Sequence, residues 1–164
     1  MDTFPRTLIT IALLTALLSG CGFKLAGTAE LPLLVKQIYV QAEDLNSGQK
    51  SILVAQLKQA GAVVSTEKSS ANATLSVAIK TLPDRRLVAS ANSAKTVNRI
   101  SRRLDFNLQA PDGSQLISNR QINEQQDVEL DSNNLLASSE AKADVVQNLE
   151  RALITRMIGQ LKRL

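Results

Sequence analysis

Apolar residues follow two different rhythms along the chain, and a third, unpatterned run stands at its start. From Ala73 to Lys80, Ala73, Leu75, Val77 and Ile79 alternate with Thr74, Ser76, Ala78 and Lys80. A period of two is the pattern of a half-buried strand. Alternation returns at Val97: Ile100, Leu104, Phe106 and Leu108 share a face with Arg102 as the odd member, and Arg99, Arg103 and Asp105 lie opposite. Pro111-Asp112-Gly113 then predicts a turn, because proline presets φ and glycine takes a conformation closed to other residues. The return strand runs from Leu116 to about Val128, with Leu116, Ser118, Arg120 and Ile122 on one face. Its far half, Asn123 to Asp127, is polar throughout and is expected to project into water or toward a partner. Earlier in the chain, Leu33 to Val40 mixes β-branched and aromatic side chains and reads as a first strand. Residues 84–96 are too polar and basic for the pattern to define.

The second rhythm is helical. Asn46-Ser47-Gly48 offers a cap, Ile52, Leu53, Gln56, Leu57 and Ala60 recur at spacings of three and four, and Gly61 suits the stop, so a helix spans about 47–60. Asp131 to Asn134 is again capping chemistry, and neither Gly nor Pro follows until Gly159. Val145, Leu149, Ala152, Leu153, Met157, Leu161 and Leu164 form one apolar stripe, best read as a core face before a partner groove. Arg151, Arg156, Lys162 and Arg163 gather where the helix dipole favours cations. The order is β-α-β-β-β-α. It predicts an α+β fold with two helices packed on one face of a mainly antiparallel four-stranded sheet.

The unpatterned run is Leu8 to Leu18, eleven residues of which only Thr10 and Thr15 are polar. As a helix it reaches about 16 Å, roughly half a bilayer core. That is the length of a secretory leader and too short for a span. Leu18-Ser19-Gly20-Cys21 follows it as a lipobox, in which small residues precede a cysteine that becomes the lipid-bearing first residue of the mature chain. An ordinary leader with an incidental cysteine is the alternative; the chain's single cysteine standing at the cleavage point favours lipidation. The expected division is a removed leader (1–20), a lipidated linker (21–32) and one α+β domain (33–164). One acyl chain holds a membrane only marginally, but a diacylglyceryl group with an added N-acyl chain anchors durably. Gly22 stands where an aspartate commonly retains lipoproteins in the inner membrane, so an outer-membrane anchor facing the periplasm is expected.

Composition removes whole classes of chemistry. The chain has no His and its one Cys is assigned to lipid, so the ordinary zinc and copper ligand sets and the Ser–His–Asp or Cys–His arrangements cannot be assembled. Neither a phosphate loop nor a dinucleotide fingerprint occurs. The expectation is a protein that is not an enzyme and carries no cofactor beyond the lipid on Cys21. The net charge of +4 hides a division: residues 80–120 hold eight bases against three acids, and residues 124–144 hold six acids against Lys142. Clustered guanidinium groups suit phosphates through their forked donors. Aromatic residues make up only 2% of the chain, which speaks against nucleic-acid stacking. A solvated strand face is the plainer explanation of such a basic run.

Leu18-Ser19-Gly20-Cys21-Gly22-Phe23-Lys24-Leu25, followed by Leu31-Pro32, resembles the mature N-terminus of the lipopolysaccharide-assembly lipoproteins of the LptE family. The element order, the Pro111-Asp112-Gly113 hairpin and the closing Gln160-Leu161-Lys162-Arg163-Leu164 fit the same family. The resemblance implies a plug inside the LptD barrel, one copy to one, that helps place lipopolysaccharide in the outer leaflet and binds it through basic side chains. The chain departs from the family there: the run Leu135–Glu140 lacks a base, Lys142 is the nearest, and Arg85, Arg86, Lys95, Arg99, Arg102 and Arg103 are the bases that could substitute. The rival expectation is a scaffolding lipoprotein of another envelope machine with no lipid ligand.

Overall fold

A computed structural model describes residues 31–89 and 94–164. The leader, Cys21, the linker as far as residue 30, and residues 90–93 lie outside the described residues. The chain runs β1 (Gln37–Gln41), α1 (Ser47–Gln59), β2 (Val63–Ser65), β3 (Ala73–Thr81), β4 (Arg85–Ala89), β5 (Lys95–Gln109), β6 (Gln115–Asp131) and α2 (Leu135–Leu161). The α+β class stands, with both long helices where the pattern placed them. The sheet is larger than expected: six strands instead of four, and mixed instead of mainly antiparallel.

The first strand is shorter than its sequence pattern. Leu33–Val35 forms a 3-10 turn, and β1 begins only at Gln37. Asn46 caps α1 reciprocally: its Oδ1 accepts from the Gln49 N–H at 2.9 Å, and Gln49 Oε1 accepts from the Asn46 N–H at 3.0 Å. Gly61 ends the helix at φ +89°, a region other residues rarely enter. The chain then returns as β2, parallel to β1 with Gln37 beside Val63. A crossover through a helix is what parallel pairing requires. β1 also runs parallel to β3, with Ile38 beside Ala73.

β3 and β4 share one edge of β5. β3 pairs with Arg102–Gln109 and β4 with Thr96–Arg99. Between them Leu82-Pro83-Asp84 interrupts the strand, because Pro83 has no N–H to give a ladder. On the other side of β5, β6 pairs from Gln115 to Asp131, so its polar far half is a strand and not a free projection. Asp112 Oδ1 accepts from the backbone N–H and hydroxyl of Ser114 at 2.9 and 2.7 Å, fixing the hairpin turn and holding the Asp112 carboxyl below the usual range. Near the turn the register slips twice. These bulges bring Ile117 to the buried face that Ile122 shares, so the simple alternation of Leu116, Ser118, Arg120 and Ile122 does not hold.

Both helices cover one face of the sheet. Leu75, Leu104, Phe106 and Leu108 meet Leu53 and Leu57 of α1 and Leu153, Ile154, Met157 and Leu161 of α2 in the main core. The stripe on α2 is therefore core-facing, with Ile154 and Ile158 joining it and Leu164 left 49% exposed. A second, smaller cluster of Ile100, Val128, Val145 and Leu149 lies under the first half of α2. Among the described residues no helix is long and apolar enough to cross a membrane.

Candidate functional site

Two cores instead of one reflect what stands between them. On the helix-covered face of β5, Arg102 falls between Ile100 and Leu104, and Glu124 of β6 is its direct cross-strand partner. Arg102 is only 8% exposed and donates from Nη1 to the Ser101 carbonyl at 2.9 Å. Glu124 is joined to Arg156 of α2 at 2.6 Å. Arg102 and Glu124 thus place charge between the two apolar clusters: Arg102 turns to the Ser101 carbonyl, and Glu124, 14% exposed, pairs outward with Arg156, which is 64% exposed. The expectation that Arg102 serves beside Arg99 and Arg103 as a surface contact meets a geometric obstacle: alternation sends it to the buried face and its neighbours to the open one.

The open face carries the remaining odd-numbered side chains of β5, and carboxylates face them. Arg99 makes two bonds to Asp127, from Nε at 2.7 Å and from Nη2 at 2.9 Å. Lys95 meets Glu129 at 2.7 Å. Asp105 lies 3.0 Å from Lys80 and 3.1 Å from Arg103. Lys142, on α2, meets Asp84 at 2.6 Å and ties the helix to the break between β3 and β4. The hydrogen bond from Arg99 holds the Asp127 carboxyl below its ordinary range, and the same bond raises the Arg99 guanidinium. Hydrogen bonding to Glu129, and then its charge, raise the Lys95 ammonium. Exposed pairs of this kind add little stability. Their effect is to neutralise the face.

The sign of the Asp127 shift gives a pH expectation. Because its folded value is depressed, the pair with Arg99 is complete above the ordinary aspartate range and fades as pH falls through that lower value. Carboxyl titration by NMR should place Asp127 below a free aspartate, and Arg99→Met should return it to the ordinary range. An ordinary midpoint in the unsubstituted chain would show that the pair does not form in solution.

Arg85 and Arg86 differ from the other candidates. Both are exposed on β4, and neither forms an ion pair among the described residues. Arg85 lies directly across from Arg99. Like charges in that position repel, and Asp127 offsets only one of them. Of the seven candidates, Lys95, Arg99, Arg103 and Lys142 are paired and Arg102 is buried. Arg85 and Arg86 alone present guanidinium forks with no carboxylate partner described. The sequence pattern missed β4 as a strand, and so missed that Arg85 and Arg99 are neighbours.

No protein-family profile matches the chain, and no curated protein matches it in sequence. Solved structures do match in fold. Lipoprotein B of Nitrosomonas europaea is 18% identical with a TM-score of 0.68, over 86% of this chain and 90% of that one. Rare lipoprotein B of Shewanella oneidensis is 15% identical with a TM-score of 0.62, over 76% and 92%. A minor lipoprotein of Acinetobacter baumannii is 13% identical with a TM-score of 0.61, over 80% and 94%. At these identities the likeness is one of fold, shared with these three bacterial lipoproteins.

Proposed function

We propose that the chain is the lipid-anchored, non-catalytic member of an outer-membrane barrel complex of the LptE type. Lipid on Cys21 holds the domain at the inner leaflet of the outer membrane, facing the periplasm. The domain occupies the lumen of an LptD-like barrel, one copy to one, and helps pass lipopolysaccharide to the outer leaflet. It takes no metal, no organic cofactor and no nucleic acid.

The observation that carries this reading is the division among the basic residues. A barrel lumen is polar and is often plugged by protein. A sheet face whose charges are matched in pairs suits such a lumen, since it offers polar contact without a large net field. Among the seven candidates, Arg85 and Arg86, left unmatched on β4, are the groups most open to phosphates. Lys95, Arg99, Arg103 and Lys142 contact the barrel wall or reinforce the ligand only by exchanging their present partners. Arg102 stays on the buried face.

Replacing Arg85 and Arg86 together by Glu is expected to weaken binding to purified lipopolysaccharide by roughly tenfold, about 1.4 kcal/mol, the scale left to two exposed charge-assisted bonds after screening by water and salt. The residual binding should also depend less on salt. Arg102→Met should leave it unchanged. Equal binding by the double variant and the parent would remove β4 from the ligand site.

A second reading, a scaffolding lipoprotein of another envelope machine without a lipid ligand, draws on the same pairing, because four of the candidate bases are already satisfied. Affinity purification of the tagged full chain from detergent-solubilised envelopes separates the two. The barrel reading expects one large β-barrel protein in matched amount. Recovery with a different assembly, or alone, supports the scaffold and contradicts the barrel.

A further inference from the structure

The edge strands of the sheet, β2 and the five-residue β4 on one side and β6 on the other, are built differently. β2, at one edge, is three residues long, too short to template another chain. β6, at the other, is seventeen residues long, and its bulges are confined to the hairpin end. From Arg120 to Asp131 the register with β5 is unbroken and the segment contains no Lys or Pro; of its charges, Glu124, Asp127 and Glu129 are already paired, with Arg156, Arg99 and Lys95.

Two hydrogen bonds fix which backbone groups this edge displays. The Leu82 N–H donates to the Ser101 carbonyl at 3.3 Å, and the Ser132 N–H donates to the Ala94 carbonyl at 2.9 Å. Backbone groups alternate sides along a strand, so odd-numbered residues of β5 address β3 and β4 and even-numbered residues address β6. The pairing of Leu104 with Ile122 and of Ile100 with Gln126 then turns the even residues of β6 inward. Gln121, Asn123, Gln125, Asp127 and Glu129 point their N–H and C=O groups away from the sheet. All five residues are exposed, and no backbone group elsewhere in the described chain bonds to them.

The surroundings narrow what fits there. α2 packs chiefly over β6 and less over β5. From it Arg156 reaches Glu124, and Gln160 accepts from Arg120 at 3.5 Å. The helix therefore already roofs the strip beside the edge. A second copy of the chain would bring its own α2 onto that strip, so the space suits a bare strand. On the open face the strand would meet the neutral amides of Gln121, Asn123 and Gln125. On the roofed side it would meet Arg156, whose side chain is 64% exposed.

We propose that β6 is a docking edge, to which an extended segment of the barrel partner adds as a further strand along residues 121–129. Main-chain bonds supply the affinity, as in other cases of strand addition. The segment carries amide or hydroxyl side chains toward the open face and, on the roofed side, a carboxylate that shares the exposed Arg156 with Glu124. The proposal rests on the barrel reading given above.

The test uses the full lipidated chain and the barrel that purifies with it. Asn123→Pro and Gln125→Pro each remove an outward N–H that belongs to no rung of the β5–β6 ladder, a position where proline is tolerated. Both variants should unfold near the parent's midpoint yet recover about a tenth of the barrel or less. Gln126→Pro, which removes an inward N–H, should instead lower stability. Hydrogen exchange on the unsubstituted complex, which needs no variant to fold, should be slower over 121–129 than in the free chain. Undiminished recovery by the outward-proline variants, with unchanged exchange over 121–129, would overturn the edge and leave the barrel reading standing. An unsubstituted chain that captures no barrel would overturn both.

Discussion

Glu124→Ala is expected to destabilise the domain by about 1–2 kcal/mol, because the carboxylate is mostly buried while its partner Arg156 stays 64% in solvent. Glu124 is the carboxylate between the two cores, with Arg102 across the strand and Arg156 above. Without it, Arg156 returns to solvent, and Arg102, an 8% exposed residue bonded to the Ser101 carbonyl, loses the carboxylate across the strand. Arg102→Met should behave oppositely. It removes the buried charge, keeps the Glu124–Arg156 pair and leaves a flexible apolar chain in the gap, so stability should be unchanged or higher. Equilibrium unfolding in urea measures both. No measurable loss for Glu124→Ala would mean that the Glu124–Arg156 pair makes no net contribution in solution.

Phe106→Ala should cost more, about 3–5 kcal/mol, through a different mechanism. Phe106 is 1% exposed, and its cross-strand partner Val77 belongs to the same core as Leu53, Leu57 and Met157. Truncation there loses the transfer free energy of the ring and opens a cavity that strands fixed on both sides cannot close. Unfolding should stay cooperative while its midpoint falls. The contrast with Ile100, in the smaller cluster, is informative. Ile100→Val should cost only about 0.5–1.5 kcal/mol, because one methylene is removed.

These expectations show which parts of the fold the chain announces locally. Asn46, Gly61 and the Leu53–Leu57 spacing define α1 because capping and periodicity are properties of a single segment. The same holds for β3, for the Pro111-Asp112-Gly113 turn and for the stripe on α2. What the pattern missed depends on partners distant in sequence. β2 is three residues long, below the length at which alternation is visible, and exists because β1 lies beside it. β4 is Arg85-Arg86-Leu87-Val88-Ala89, polar at its start, and takes its conformation from the edge of β5. The parallel pairing of β1 follows from where α1 delivers the chain, which its own residues do not encode.

The candidate site was legible in part for the same reason. The basic run from Arg85 to Arg103 was evident, but its division into paired, buried and unpaired members required the acids of β6 to be placed opposite. Arg102 could have been assigned to the core from alternation with Ile100 and Leu104. Its cross-strand partner, Glu124, could not, since two bulges shift the hairpin register between them and the turn.

Native mass spectrometry of the complex extracted from outer membranes tests the central claim most directly, because one spectrum reports both the anchor and the stoichiometry. The account predicts a single species containing one barrel chain and one copy of this chain beginning at Cys21 and bearing three acyl groups. A chain that starts elsewhere, carries a free thiol, or leaves the membrane without a barrel would contradict it.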